Sequence, residues 1–224
     1  MNILITAGPT REPIDPVRFL SNRSSGQMGY ALAQAALNHH HHVTLISGPV
    51  SLPAPSGAQL IPVETARQMF DAVGTTINHC DIAIFAAAVA DYRPVTPASQ
   101  KLKKQSSPLS LHLEPTEDIL GSARSLFNFH GYLVGFAAET ENLIAHAQSK
   151  LDRKKCDLII ANDVSQPGIG FDSSENAVTL CFPNAEVHTL PKQSKQTLAT
   201  VLFETILARA TSLSPNPPCL KPNP

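Results

Sequence analysis

The chain has 224 residues, with 17 Lys and Arg against 18 Asp and Glu, for a formal net charge of −1. That balance makes a nucleic-acid polymer or an anionic membrane a poor candidate for the main partner. Hydrophobic residues make up 42%, which excludes wholesale disorder. A chain of this length buries roughly 70% of its surface on folding, so no disulfide or metal staple is required. The longest apolar run, Ile82 to Ala90, is nine residues, against roughly 20 for a membrane span. Met1 to Thr6 lacks the basic and apolar regions of a signal peptide. Cys80, Cys156, Cys181 and Cys219 lie dozens of residues apart with no CxxC pairing, which argues for reduced thiols and a cytoplasmic location.

Ile3 to Thr6 reads as a short buried strand, ended by Ala7-Gly8-Pro9-Thr10. Pro13 and Pro16 predict an irregular stretch up to Val17-Arg18-Phe19-Leu20. Ser24-Ser25-Gly26 opens a helix whose interior, Met28 to Leu37, carries apolar residues at helical spacing. The run His39 to His42 falls where this helix hands over to the strand Val43 to Ser47, and reads as solvated loop histidines. Ile61-Pro62-Val63 is a short strand, and Thr65 to Ile77 a helix with Thr65 near its N-cap. The apolar runs Asp81 to Ala88, Val134 to Ala137 and Asp157 to Ala161 predict strands buried on both faces. A helix from about Asn142 to Lys154 joins the last two.

Within Pro94 to Pro115, the alternating Leu109-Ser110-Leu111-His112-Leu113 predicts an exposed strand or hairpin, preceded by a lysine-rich loop. Ala177 to Phe182 and Glu186 to Leu190 predict a hairpin around Pro183-Asn184, followed by a helix from Lys195 to Ala210. The segment from Thr211 carries five prolines in its last ten residues and is expected to be disordered. The alternation of strand and helix gives an α/β protein with a mostly parallel sheet. Ligands of such sheets bind beyond the carboxyl ends of the strands, where the polar turns of this chain fall.

The first strand-to-helix connection carries no GxGxxG. Its glycine-and-serine turn, Ser24-Ser25-Gly26-Gln27-Met28-Gly29, offers free N–H groups, hydroxyls and a helix dipole that suit a phosphate; an ordinary N-cap has the same look. Lys101, Lys103 and Lys104 read on their own as a solvated charge cluster. Asp91 is a metal or ribose ligand, or a turn residue, and Glu139 is equally open.

Taken together, the string from Ile5 to Gly29, with Ala86-Ala87-Ala88-Val89-Ala90-Asp91-Tyr92-Arg93-Pro94, Lys101-Leu102-Lys103-Lys104, Val134 to Thr140 and Ala161-Asn162-Asp163-Val164, resembles the bacterial CTP-dependent phosphopantothenate–cysteine ligases. The resemblance spans roughly residues 2 to 210. It implies a ligase domain over 1–210, with 211–224 as the tail, and a three-layer α/β sandwich with a Rossmann-like sheet and a hairpin excursion. The implied reaction joins 4'-phosphopantothenate to L-cysteine through an acyl-cytidylate, converting CTP to CMP and pyrophosphate. Magnesium is implied, held mainly by the triphosphate. A homodimer with the site near the interface is implied as well. Many relatives are fused to a flavin-dependent decarboxylase, a functional partner that the resemblance suggests; with nothing before Met1, the chain reads as a stand-alone or excised ligase domain with no flavin site.

By the same resemblance, Asn22 contacts the activated carboxyl as a hydrogen-bond donor to a developing oxyanion. Gly8, Ser24, Gly26 and Gly29 match the pantothenoyl-phosphate cradle, and Asn162 a position near the pantothenoyl ligand. Ala86, Ala87, Asp91, Asp118, Ile119, Phe136, Lys150 and Lys154 match nucleotide positions. Lys101 matches a mobile-loop lysine that reaches the phosphates. Three positions depart from the pattern: Gln27 replaces a common lysine, Glu117 a usual proline, and His40 a usual glycine at a helix end. A nicotinamide-dependent oxidoreductase is the alternative from the α/β pattern alone, opposed by the missing GxGxxG and by Ser47 where an acidic residue would close the second strand. An inactive nucleotide-binding relative is the other, opposed by Asn22, Asp91 and Lys101 standing together.

Overall fold

The computed structural model describes residues 1–104, 106–163 and 175–213. Strand β1 (Asn2–Ala7) leads into a small antiparallel hairpin, β2 (Arg11–Pro13) and β3 (Phe19–Ser21), and then into helix α1 (Gln27–Asn38). Next come β4 (His42–Ser47), β5 (Gln59–Pro62), α2 (Ala66–Thr76) and β6 (Ile82–Phe85). Strands β7 (Tyr92–Pro94) and β8 (Leu113–Pro115) pair antiparallel and precede α3 (Ile119–Ser125). The chain continues through β9 (Tyr132–Glu139), α4 (Leu143–Lys154), β10 (Leu158–Asp163), β11 (Glu175–Cys181), β12 (Val187–Ser194) and α5 (Lys195–Leu213).

Among the described residues the main sheet runs β12-β11-β10-β9-β6-β1-β4-β5. Strands β5 to β10 in that order are parallel, and the β11–β12 hairpin is added antiparallel to β10. Helices α1 and α5 cover one face through Leu32, Ala36, Leu198, Leu202 and Phe203, packed on Ile3, Ile5, Ile84 and Val134. The other face carries α2, α3 and α4 through Met69, Val73, Ala123, Ala147 and Leu151, against Leu4, Ala83, Leu133 and Ile159. Each fully buried Leu or Ile contributes roughly 1.5–3 kcal/mol of burial, and alternate residues of every central strand feed opposite layers. The molecule is the expected three-layer sandwich.

Local chemistry sets the element ends. Thr65 and Gln68 form a reciprocal capping box at α2, which satisfies two otherwise unpaired N–H groups. His40 takes a left-handed φ of 59° just past α1, the conformation that glycine adopts most readily there.

Three expectations need correction. Pro13 and Pro16 do not leave their stretch irregular: Pro13 closes β2, paired with Phe19, at the end of a two-stranded ribbon where a missing N–H is tolerated. The alternation Leu109 to Leu113 does not form a strand along its length. Only Leu113 joins the hairpin, whose strands are the two ends of the excursion, and Leu109 stays 64% exposed with no apolar surface to alternate against. Finally, α5 continues past Ala210 to Leu213, so Thr211 to Leu213 belong to the helix. Residues 214–224 of the expected tail lie outside the described residues.

Candidate active site

Numbered within the parallel set, the strand order is 3-2-1-4-5-6, so the winding reverses between β1 and β6. Open α/β sheets bind ligands beyond the carboxyl ends of the strands at such a point. A cleft of about 610 Å³ lies there.

Its first wall is the glycine-and-serine turn and the start of α1. Gly26 caps α1 with φ of 77° and no side-chain cap, which leaves the first N–H groups of the helix for a ligand. Ser24, Gly26, Gln27 and Gly29 line the cleft. Gly8, with φ of 72°, lies directly beneath Gly26: a Cβ on Gly26 would stand 3.3 Å from the Gly8 Cα. Gly29 has a different task. A Cβ there would come within 2.5 Å of the Ala7 Cβ, so glycine lets α1 sit directly on β1 with its N-terminus at the strand end.

The second wall is the segment after β6. Ala86 N–H donates to the Thr6 carbonyl at 3.1 Å and Ala88 N–H to the Gly8 carbonyl at 2.9 Å, which prolongs β6 alongside the β1 turn. Ala86, Ala87 and Asp91 line the cleft. Asn22 ties the two walls together: its Nδ2 donates to the carbonyls of Ala88 and Val89, each at 3.0 Å. An amide nitrogen has two protons, and both are used. The donor role expected of Asn22 is therefore revised: in this arrangement its remaining group for a ligand is the acceptor Oδ1.

The third wall comes from α3, β9 and α4. Asp118 caps α3 by accepting from Gly121 N–H at 2.9 Å and pairs closely with Lys154. Burial opposes ionisation of Asp118, but Lys154 and the Gly121 N–H outweigh it and hold the carboxyl below its ordinary range. Lys150 donates to the Phe136 carbonyl at 2.7 Å, and burial lowers its pKa. Ile119, Phe136, Lys150 and Lys154 all line the cleft. Glu117 lines it too, bound by Arg93 through two contacts of 3.0 Å and by Arg67 at 3.4 Å. Glu117 thus fastens β7 and α2 to the turn before α3.

Asn162, at the end of β10, completes the inner end. It is 9% exposed and its Oδ1 has no hydrogen-bond partner, which is costly for a buried acceptor unless a ligand serves it. Arg153, Asn176 and Lys195 also line the cleft and were missed in the sequence. Each is a single polar residue on α4, β11 or α5, without a motif around it.

Of the expected site residues, Gly8 and Lys101 do not line the cleft: Gly8 supports Gly26 from beneath, whereas the structure does not bring in Lys101. It is exposed, outside the cleft lining. The main chain of its neighbour Leu102 is held by the β2–β3 turn: Leu102 N–H donates to Asp15 at 3.0 Å, and Arg18 donates to the Leu102 carbonyl at 2.8 Å. Among the described residues, no three His, Cys, Asp or Glu side chains gather as a metal site. Cys80 and Cys156 are not activated nucleophiles, since burial pushes their thiols up to about 11 and about 12.

Fold and site together define a Rossmann-like α/β domain with a charged cleft at its switch point, where this class of protein holds nucleotides and phosphates. The family model described as "DNA/pantothenate metabolism flavoprotein C-terminal domain" matches residues 1–210. The chain belongs to this family. It is 50% identical over 207 residues to the coenzyme A biosynthesis bifunctional protein CoaBC of Vibrio vulnificus, covering 92% of this chain and 51% of that protein. Against CoaBC of Escherichia coli K12 the identity is 46% over 212 residues, with 93% and 52% covered. The chain thus spans about half the length of the curated relatives it matches. A crystal structure of the C-terminal domain of CoaBC superposes with a TM-score of 0.79 at 39% identity, covering 93% of this chain and 94% of that one. These likenesses bear out the resemblance seen in the sequence. Among the described residues, no helix is long and apolar enough to cross a membrane.

Proposed function

We infer that this domain is a phosphopantothenate–cysteine ligase of coenzyme A biosynthesis. The observation that carries the reading is the Asn22 bridge, which joins a phosphate-type turn at α1 to a nucleotide-type segment after β6. Two substrates held on those two walls have their reacting ends meet beside Asn22. The carboxylate of the phosphorylated acid attacks the α-phosphorus of CTP, the bond to the β-phosphate breaks, and pyrophosphate leaves. The cysteine amine then attacks the acyl carbon of the acyl-cytidylate and CMP departs. The Asn22 Oδ1 accepts from an N–H of the attacking amine and orients it, a role that suits an acceptor. Lys150, Arg153 and Lys154 place cations by the nucleotide wall.

Asp91 on the cleft wall would offer a carboxylate oxygen to a magnesium ion held mainly by the triphosphate, of the one or two that such an ion takes from a protein, and the ion would supply charge neutralisation for pyrophosphate departure. Lys101 reaches this site when its loop leaves the Asp15 latch. The active form is a homodimer. Its support is the apolar surface of the two hairpins beside the cleft, where Val17, Tyr92, Val95 and Leu109 are 53% to 64% exposed. Full activity in a species that light scattering shows to be monomeric contradicts the dimer. The flavin-dependent decarboxylase is the functional partner proposed, since the named relatives are bifunctional.

The oxidoreductase alternative loses support at β4. Ser47, where a ribose-reading acid would stand, is 3% exposed and bonded to the Tyr30 hydroxyl at 3.1 Å. Titration calorimetry with CTP, ATP and NADPH tests the reading. CTP binding strengthened by magnesium is expected, and tight NADPH binding without a response to CTP overturns it.

A further inference from the structure

The cations around the cleft divide by face of the sheet. Lys150, Arg153 and Lys154 stand on α4, on the face shared with α2 and α3. Among the described residues, Lys195 is the cleft-lining cation of the opposite face, at the first position of α5. Helices α1 and α5 pack side by side on that face, and both begin at the cleft, so two helix N-termini point to one place. Ser194 Oγ accepts from Thr197 N–H at 3.1 Å and fixes the start of α5. Lys195 is 6% exposed and Asn176 beside the same space 4%. The unpartnered Asn162 Oδ1, nine-tenths buried on the same cleft, independently marks a ligand there. Gln27, at the first position of α1, offers a neutral amide beside that helix N-terminus.

Resting on the ligase reading above, we propose that Lys195 is the cationic partner of the acid substrate's phosphate monoester, acting with the N-termini of α1 and α5. The Asn162 Oδ1 accepts from a hydroxyl or amide N–H farther along the same substrate. The inner end of the cleft is thus a selectivity site for a phosphorylated hydroxy-amide acid over its unphosphorylated counterpart. The α4 cations serve the nucleotide and have no part in this choice. A buried ammonium is suited to the task because a phosphate gains a charge-assisted hydrogen bond in a place that water does not screen.

The test compares phosphopantothenate and pantothenate, in binding titrations and as substrates, with wild-type protein, Lys195→Gln and Lys195→Arg. Lys195→Gln should weaken phosphopantothenate roughly 10- to 100-fold, the range of a hydrogen bond to a charged group. Pantothenate binding and the KM for CTP should stay within about twofold, on the same argument that only the phosphate contact is lost. Lys195→Arg should recover most of the preference for the phosphorylated acid. Equal weakening toward both acids, or an effect on CTP alone, overturns the proposal. A second measurement does not depend on the glutamine variant folding. In wild-type protein carrying ¹³C-labelled lysine, the resonance missing from Lys195→Arg should move with phosphopantothenate and stay with pantothenate. No movement with phosphopantothenate overturns the proposal as well. If wild-type protein makes no cysteine adduct from either acid, the ligase reading fails, whereas a working wild type with an unmoved Lys195 resonance faults this inference alone.

Discussion

Gly29→Ala isolates the contact that seats the phosphate-type turn on the sheet. The added Cβ would lie 2.5 Å from the Ala7 Cβ, 3.1 Å from the Ala7 Cα and 3.3 Å from the Thr6 carbonyl oxygen. Carbon atoms in contact prefer about 3.5–4.0 Å, so the start of α1 must withdraw by about 1 Å. Overpacking of this kind costs about 1–3 kcal/mol, and the greater helix preference of alanine returns about 0.5–1 kcal/mol. The net loss, centred on about 1 kcal/mol, corresponds to a fall in Tm of roughly 2–4 °C for a domain of this size. The same displacement moves the free N–H groups after Gly26 off the phosphate. Phosphopantothenate should therefore bind roughly tenfold more weakly, while the KM for CTP changes little, since small misplacements at a positioned site are costly. Thermal melting and a binding titration read the two effects. An unchanged Tm together with unchanged phosphopantothenate affinity would refute the assignment of Gly29 to close helix-on-strand packing.

Asn22→Asp sets a carboxylate against two carbonyl oxygens now 3.0 Å from the amide nitrogen. It should slow formation of the cysteine adduct at least 100-fold, because both wall-joining hydrogen bonds, together about 3 kcal/mol, are lost, while some pyrophosphate is still released; adduct formation at the wild-type rate, followed by mass spectrometry, counts against the bridge. Asp118 ionises below its ordinary range in the folded chain, so its contribution is complete above the unfolded value near 3.8 and drains as the pH falls through the lower folded value. Denaturation followed from pH 7 to pH 2 should show Asp118→Asn less stable near neutrality and converging on wild type at the acid end, and parallel curves would contradict the Lys154 pairing. Cys80 and Cys156, pushed up to about 11 and about 12, should resist iodoacetamide at pH 7.5 in the native protein and react after unfolding. Prompt native labelling at either site, mapped by peptide mass, refutes the burial argument.

How far the sequence foretold the structure depends on the range of the interactions. The parallel core was legible because Ile82 to Phe85 and Leu158 to Ala161 are apolar without interruption, as strands covered on both faces must be. Thr65 announced the start of α2 as an N-cap residue, and Gln68 completes the capping box in the folded chain. The β2–β3 ribbon was hidden because proline is a strong breaker in isolation, and only the pairing partner shows that Pro13 sits where no donor is needed. At the site, the turn residues and Asn22 were found through their motif, yet the direction of the Asn22 hydrogen bonds depends on carbonyls some 66 residues away. Lys195 and Asn176 carry no local signal; the β11–β12 hairpin delivers them to the cleft. Lys101 was readable as a loop lysine, whereas the Asp15 and Arg18 contacts that hold its neighbour depend on the folded hairpins.

The central claim is that one cleft activates a phosphorylated acid with a nucleotide and then passes it to an amine. Pyrophosphate release, measured with phosphopantothenate and each nucleoside triphosphate in turn, with and without cysteine, tests it most directly. The account predicts release with CTP and magnesium, dependent on phosphopantothenate, limited to about one turnover without cysteine and continuous once cysteine is added, with the cysteine adduct formed in equal amount. Absence of pyrophosphate with every nucleotide, or release that ignores phosphopantothenate, would contradict it.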